Sequence, residues 1–352
     1  MQDEARIVDG RDEFAFRGRS FSGYKESAVV KKLKQACAER SVEQACYWTA
    51  ELVCAGHFAK LWEHLSIAVG ERHATASPRV TLFLARRFSE FKQIVEAGYM
   101  GRELELRNCA QVRRMFAEIV AVLCTARRHH PPQLLTVRTE TDFDLSNLSG
   151  RLEATGTSFA GDVYRPDDPK ELFVSVNELC YHLRPEQANT VSACYWIEWI
   201  CAFIRFSASK KRSIVAARRD FAPVADKLQS DPVWMVWDAI RVASAGKGEV
   251  AAQCTDALMT LFGLRYTSGC RQRRRPLLYA SVSYATEDID FNVPIAADPA
   301  AINAIVSKAE SVYKEVKKAE SGGATATPGR SNRDRTAERL MKMNALLGSG
   351  GQ

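Results

Sequence analysis

Apolar residues recur at helical spacing along most of this chain. In "KESAVVKKLKQACAERS" Val29, Leu33 and Ala36 fall at i, i+4 and i+7, an apolar stripe on a basic helix. Ser41 then precedes "VEQACYWTAELVCAG". Ser41 with Gln44 has the spacing of a capping box, and Gly56 is placed to end the helix. "HFAKLWEHLSIAVG" predicts a short helix that stops at Gly70. Ser77-Pro78 opens the next, which runs through "RVTLFLARRFSEFKQIVEAG" to Gly98. A further helix covers "NCAQVRRMFAEIVAVLCTARR" and stops at "HHPP".

The helical period is then lost. Residues 129–170 hold Pro131, Pro132, Pro166 and Pro169 among many Ser, Thr, Asp and Gly, which predicts a boundary between lobes. It returns in "PKELFVSVNELCYHLRP", "ACYWIEWICAFIRF", "DPVWMVWDAIRVASAG" and "GEVAAQCTDALMTLFGLRYTSG", each bounded by Pro, Asp-Pro or Gly. "LLYASVSYATEDIDF" reads as a helix that follows the basic run "RQRRRP". "ADPAAINAIVSKAESVYKEVKKAE" reads as a polar, amphipathic one. Strand-like alternation is scarce. The expected fold is mainly α, with two helical lobes and extended arms at both ends. The expected segments are an N-terminal arm (1–23), a first lobe (24–128), a Pro-rich linker (129–170), a second lobe (171–290), and a helix with a basic C-terminal arm (291–352), in which "SGGATATPGR" is a linker by composition.

The richest stretch is "ANTVSACYWIEWICAFIRF", residues 188–206, whose only charges are Glu198 and Arg205. Its apolar run is about a dozen residues long and interrupted by Glu198, too short for a membrane span. A helix that is apolar all round belongs in a core. Trp196 and Trp199 form an i, i+3 pair, as do Trp234 and Trp237, and each pair serves as a packing ridge. A base-stacking platform would need basic residues interleaved on the same face, and these helices lack them. The tetrapeptide ACYW also occurs at Ala45–Trp48, with a Glu and a Cys following in nearly the same register. A duplicated helical module explains this, and so does coincidence, because the rest of the two halves does not visibly align.

The composition is that of an ordinary globular protein, 46% hydrophobic and 26% charged. The formal net charge is +7, of which residues 317–352 carry +4. The body is therefore near neutral and the arm basic, an unusual balance for a protein that tracks phosphates. Ten cysteines contain no C-x-x-C pair and sit mostly inside apolar helical runs, as buried reduced thiols do. The opening "MQDEARIVDGRDEF" is charged and lacks the apolar core of a signal peptide, so a reducing compartment is expected.

"VNELCYHL…ACYWIEWICAFIRF…KKR…DPVWMVWDAI" resembles a pattern that recurs in proteins of nucleocytoplasmic large DNA viruses, the algal-virus and mimivirus-like groups. "SVEQACYWTAELVCAGHFAKLWEHL" is similar to the N-terminal half of the same proteins, and the resemblance spans roughly residues 25–290. It implies a virion protein of the minor-capsid type, lying under the outer capsomers and assembled in the cytoplasm of the infected cell. The implied partners are the major capsid protein, neighbouring minor capsid proteins and further copies of the chain. The tail after residue 317 has no counterpart in that pattern.

Neither G-x-G-x-x-G, G-x-x-x-x-G-K-[ST] nor H-E-x-x-H occurs, and Gly246-Lys247-Gly248 reads as a turn. Cys54, His57 and His64 lack the second Cys pair of a metal site, and "RRHHPP" reads as a basic helix end. The expectation is a non-enzymatic scaffold without cofactor or metal. Trp48, Trp196, Trp199, Trp234 and Trp237 form its core. The candidate partner contacts are Lys210, Lys211, Arg212, Arg271, Arg273, Arg274, Arg275, Arg333, Arg335 and Arg339. The alternative, a nucleic-acid-binding accessory protein in viral replication or genome packaging, would use the same basic residues. The two readings part on geometry: nucleic acid requires the basic pairs to converge on one face. A third reading is a divergent enzyme whose site matches no known motif.

Overall fold

The structure is a computed structural model and describes residues 4–130, 133 and 135–320. Pro131, Pro132 and the basic C-terminal segment, with the candidate contacts Arg333, Arg335 and Arg339, lie outside the described residues. The fold is mainly α. The chain forms α1 (Glu26–Ala38), α2 (Val42–Cys54), α3 (Phe58–Arg72), α4 (Arg79–Glu96) and α5 (Ala110–Thr125). Two short helices follow, α6 (Thr139–Asp142) and α7 (Leu145–Ser149), then α8 (Phe173–Leu183), α9 (Thr190–Ser209), α10 (Val233–Ala245) and α11 (Glu249–Phe262). The last three are α12 (Cys270–Thr286), α13 (Pro299–Ser307) and α14 (Ala309–Lys317). No strand occurs among the described residues; the only β-type pairing there is one bridge between Arg19 and Lys25.

The helices sort into two units whose boundaries differ from those expected. Unit 1 is residues 1–65, 86–126 and 294–352; unit 2 is residues 66–85 and 127–293. Residues 66–85 thus leave the predicted N-terminal lobe. The reason is local. Gly70 does not end α3; a Cβ there would sit 3.0 Å from the Pro276 carbonyl and the Leu277 nitrogen of α12, so glycine permits that approach. Tyr284 donates to the Ala74 carbonyl (2.9 Å), and Arg79 donates to the Phe291 carbonyl (2.8 Å).

In unit 1, α2 packs against α1, α5 and α14. Trp62 is its aromatic centre, 5.1–5.5 Å from Phe88, Phe91 and Phe116. Residues 4–23 are irregular, as the pattern implies, but they are held rather than loose. Ala5, Ile7, Phe16 and Phe21 are buried. Asn108 pairs with Ile7 as a strand would, accepting its N–H and donating to its carbonyl, both at 2.8 Å. Ser20 and Ser22 donate to the buried Glu51. The helix expected at the start of the C-terminal arm is two helices, and α14 buries Val312, Tyr313 and Val316 in unit 1.

In unit 2, α9 is the central helix and packs against α8 and α12. Its N-cap Asn189 accepts the Ser192 N–H, and Trp196, Ile197, Trp199, Ile200 and Cys201 are buried. Trp234 and Trp237 of α10 both meet Phe262 of α11, at 5.9 and 5.4 Å. The described part of the expected linker, 129–170, belongs to this unit. Glu178 and Asn177 on α8 accept the backbone N–H groups of Glu153, Ala154, Phe159 and Ala160. Trp199 donates to the Asp142 carbonyl at 2.9 Å. A segment poor in apolar residues is thereby fixed through its backbone polar groups.

Helix ends follow sequence chemistry in part. Gly56 (φ +75°) terminates α2, and Asp298 caps α13 with Pro299 in its first turn. Ser41 stands at the N-cap of α2 but makes no side-chain cap bond, so the capping box is not formed. Arg40, Ala188, Lys211 and Arg265 adopt positive φ without being glycine.

Two outcomes test this packing. Trp196→Ala is expected to lose about 3–5 kcal/mol of stability in urea unfolding, the usual cost of emptying a large aromatic site. An unchanged midpoint would show that α9 is not a core helix. The second concerns His73, a buried residue whose Nδ1–H donates to the Arg127 carbonyl at 3.0 Å. Burial pushes the imidazole from 6.5 down to about 4, against that hydrogen bond and with help from Arg128, His129 and Arg72. Above 6.5 both folded and unfolded states hold it neutral. Below 6.5 the unfolded state takes the proton first, so stability declines as pH falls toward about 4. The slope from this group is at most about 1.4 kcal/mol per pH unit. His73→Gln should flatten the melting-temperature profile in that window.

Candidate interaction surface

The charged residues of unit 2 divide into those that build its interior and those left outside. Asp168 and Arg219 are fully buried as side chains and meet through both carboxylate oxygens. Asp168 also accepts the N–H groups of Arg165 (2.8 Å) and Ala217 (2.9 Å). Arg219 also donates to the carbonyls of Val163 (2.9 Å) and Ala217 (2.8 Å) and to Asp238 (3.2 Å). Burial alone would raise the Asp168 carboxyl. The hydrogen bonds from Arg219, Arg165 and Ala217 outweigh it and hold the group below the usual carboxylate range. Asp238 is the acid that closes "DPVWMVWD", so this motif supplies a partly buried carboxylate to Arg219 as well as two tryptophans.

The basic run 271–275 is not a loop. It forms the first two turns of α12, which continues through Pro276. Arg271 pairs with Asp231 at 3.1 Å, and Arg275 pairs with Glu198 at 3.2 Å. Arg274 is buried and donates to the carbonyls of Phe262 (2.7 Å) and Leu264 (2.6 Å), where it closes the end of α11. Arg273 alone of these is exposed, folded back toward Gly269 and Cys270. Glu198 thus has its partners on α12, with Tyr279 donating to it at 2.9 Å, rather than on Arg205.

Members of the other basic pairs are likewise bonded within their own unit. In unit 1, Arg87 joins Glu90 and Glu118, while Arg113 is buried between the Ala5 and Arg107 carbonyls, Asn108 and Glu310. In unit 2, Arg218 pairs with Asp220 and Asp226. No protein-family model, curated protein or solved structure matches this chain.

Exposed cations follow one another in sequence at the C-terminal end of α9, at Arg205, Lys210, Lys211 and Arg212, as Lys31, Lys32 and Lys34 do on α1. Arg212 reaches Glu171 at 3.5 Å, and Lys210 lies 5.7 Å from the Phe206 ring centroid. Lys210 on Phe206 supplies, at one ring, the interleaving of basic and aromatic side chains that the sequence pattern did not show.

Trp48, Trp196, Trp199, Trp234 and Trp237 are buried. Trp62, equally buried, went unread because it lies on an amphipathic run with polar neighbours. The two ACYW copies lie in different units, α2 and α9. Each places a carboxylate inside, but Glu51 is bonded by Tyr47 of its own helix and Glu198 by Tyr279 of another. Burial pushes the thiols of Cys46, Cys180 and Cys201 up to about 12, and Cys254 up to about 11, so none of these four is a thiolate at neutral pH. Among the described residues no group of three His, Cys, Asp or Glu side chains is placed to hold a metal ion, and no helix is long and apolar enough to cross a membrane.

Arg219→Met strands a buried Asp168 and is expected to cost about 3–5 kcal/mol in equilibrium unfolding. Combining it with Asp168→Leu should cost less than the two single changes together. Strict additivity would mean that the pair is not coupled.

Proposed function

We propose that this chain is a non-enzymatic scaffold of a large assembly, a minor capsid protein that joins capsomers through protein–protein contacts. The observation that carries the reading is the use made of the residues behind the viral resemblance. Trp196, Trp199, Trp234 and Trp237 are core, and Glu198 and Asp238 bond to α12 and to Arg219. In this chain the resembling residues build the framework, which leaves partner contacts to its surfaces.

The nucleic-acid reading is weaker on the same ground. Arg271, Arg274 and Arg275, three of its intended contacts, are bonded within their own chain. The partners in the proposed role are the major capsid protein, neighbouring minor capsid proteins and other copies of the chain.

Mass spectrometry of particles purified from cells that make this chain is expected to find it in the shell and to find it retained after nuclease treatment. Release by nuclease would transfer the function to nucleic-acid binding. Residues 321–352 are too poor in apolar side chains to bury much surface. Their deletion should leave the melting temperature unchanged and lower incorporation into particles. A truncated chain that unfolds would place the tail in the core instead.

A further inference from the structure

The end of α9 carries chemistry that the packing of unit 2 does not use. Trp199, Phe203 and Phe206 follow one another along the helix, with Trp199 and Phe203 stacked at 5.2 Å. Phe143 meets all three rings edge-on, at 5.1, 5.5 and 5.4 Å. This aromatic row starts in the core and ends at the surface: Trp199 is buried, whereas Phe206 is 39% exposed. Lys210 lies 5.7 Å from the centroid of that outer ring, and Arg205 and Lys211 are its near neighbours in sequence; all three are exposed and none is in an ion pair among the described residues. Arg212 and Glu171, 68% and 44% exposed, form a bridge beside them. Val174 and Val215, each three residues further along the chain from that bridge, are exposed as well.

Lys211 adds a second kind of observation. It ends α9 at φ +59°, and the Arg212 N–H returns to the Ser207 carbonyl at 2.9 Å. Glycine is the low-energy residue at this position of a helix end. Arg40 shares the geometry, with the Ser41 N–H returning to the Ala36 carbonyl at 2.9 Å, so the backbone alone marks nothing. Lys211 differs in its company, because it follows Lys210, whose ammonium lies 5.7 Å from the exposed Phe206 ring.

We propose that this end of α9 docks an acidic segment of another protein, which sets one apolar side chain against Phe206. The proposal rests on the scaffold reading and names the chemistry of its partner. Carboxylates on the partner complement Arg205, Lys210 and Lys211, and Phe206 supplies the apolar anchor of a small interface. A phosphate strand fits less well. Strand binding uses successive rings along a continuous cationic groove, whereas this site offers one ring.

Fluorescence anisotropy on the full-length protein tests this with three labelled probes: an Asp/Glu-rich peptide of about twelve residues with a central Phe, the same peptide with Ser in its place, and single-stranded DNA of equal length. The Phe peptide is expected to bind with a salt-sensitive, micromolar-range Kd, and the Ser peptide at least about threefold more weakly. Lys210→Glu with Lys211→Glu should weaken the Phe peptide about tenfold or more at unchanged circular dichroism. Lys211→Gly separates docking from stability. It should raise the melting temperature by about 1–3 °C while weakening the peptide. Equal binding by the charge-reversed protein, or equal binding of the Ser peptide, overturns the proposal. Tighter binding of DNA that the same reversal abolishes assigns the site to nucleic acid instead. A protein that binds the peptide through these lysines yet is absent from particles keeps the docking site and loses the capsid role.

Discussion

The buried pair of Asp168 and Arg219 is the constraint on which unit 2 depends. It joins residues that are far apart in sequence and that lie in irregular backbone. Taking both charges out of water is costly, and the cost is met only because nearly every polar atom of the pair finds a partner. Arg219 touches Val163, Ala217 and Asp238 as well as Asp168, so one guanidinium sets the course of two extended segments against α10. Hydrophobic helices alone would leave those segments without a defined path.

The same device recurs at three other irregular stretches. Glu178 and Asn177 receive the backbone of 153–160, Glu51 receives Ser20 and Ser22, and Asn108 receives Ile7. A helix satisfies its own backbone, whereas a loop must borrow partners. Here the borrowed partners are acidic and amide side chains on buried helix faces. This also bears on charge: several Arg and Glu that look like surface residues in the sequence, such as Arg113, Arg219, Glu51 and Glu198, are bonded inside.

The helices were legible because 3.6-residue periodicity and Gly or Pro punctuation are properties of short windows. Trp196, Trp199, Trp234 and Trp237 could be placed in a core from their spacing alone. Gly70 misled because a glycine can end a helix or admit a neighbour, and only the distance to Pro276 decides between them. "RQRRR" misled because a basic run looks solvated until Asp231, Glu198 and the carbonyls of α11 are known to face it. Asp168 gave no signal at all, since its partner lies 51 positions away. The surface at the end of α9 was half legible. "KKR" is a visible basic run, but apolarity says nothing about which ring of the row Trp199, Phe203 and Phe206 reaches solvent.

The order of the segments has a consequence for synthesis. Unit 1 is assembled from residues 1–65, 86–126 and 294–352, and Arg113 binds both the Ala5 carbonyl and Glu310. A nascent chain that has passed residue 126 holds most of this unit's helices but lacks α13 and α14, which pack on α5. Until they emerge from the ribosome, the guanidinium of Arg113 has no carboxylate and the apolar faces of α2 and α5 stay open. Contacts of such long sequence separation form late and slowly. Synthesis of α14 therefore acts as a checkpoint: only a chain that extends through residue 317 can close unit 1, and one terminated earlier is left open to chaperones and proteases.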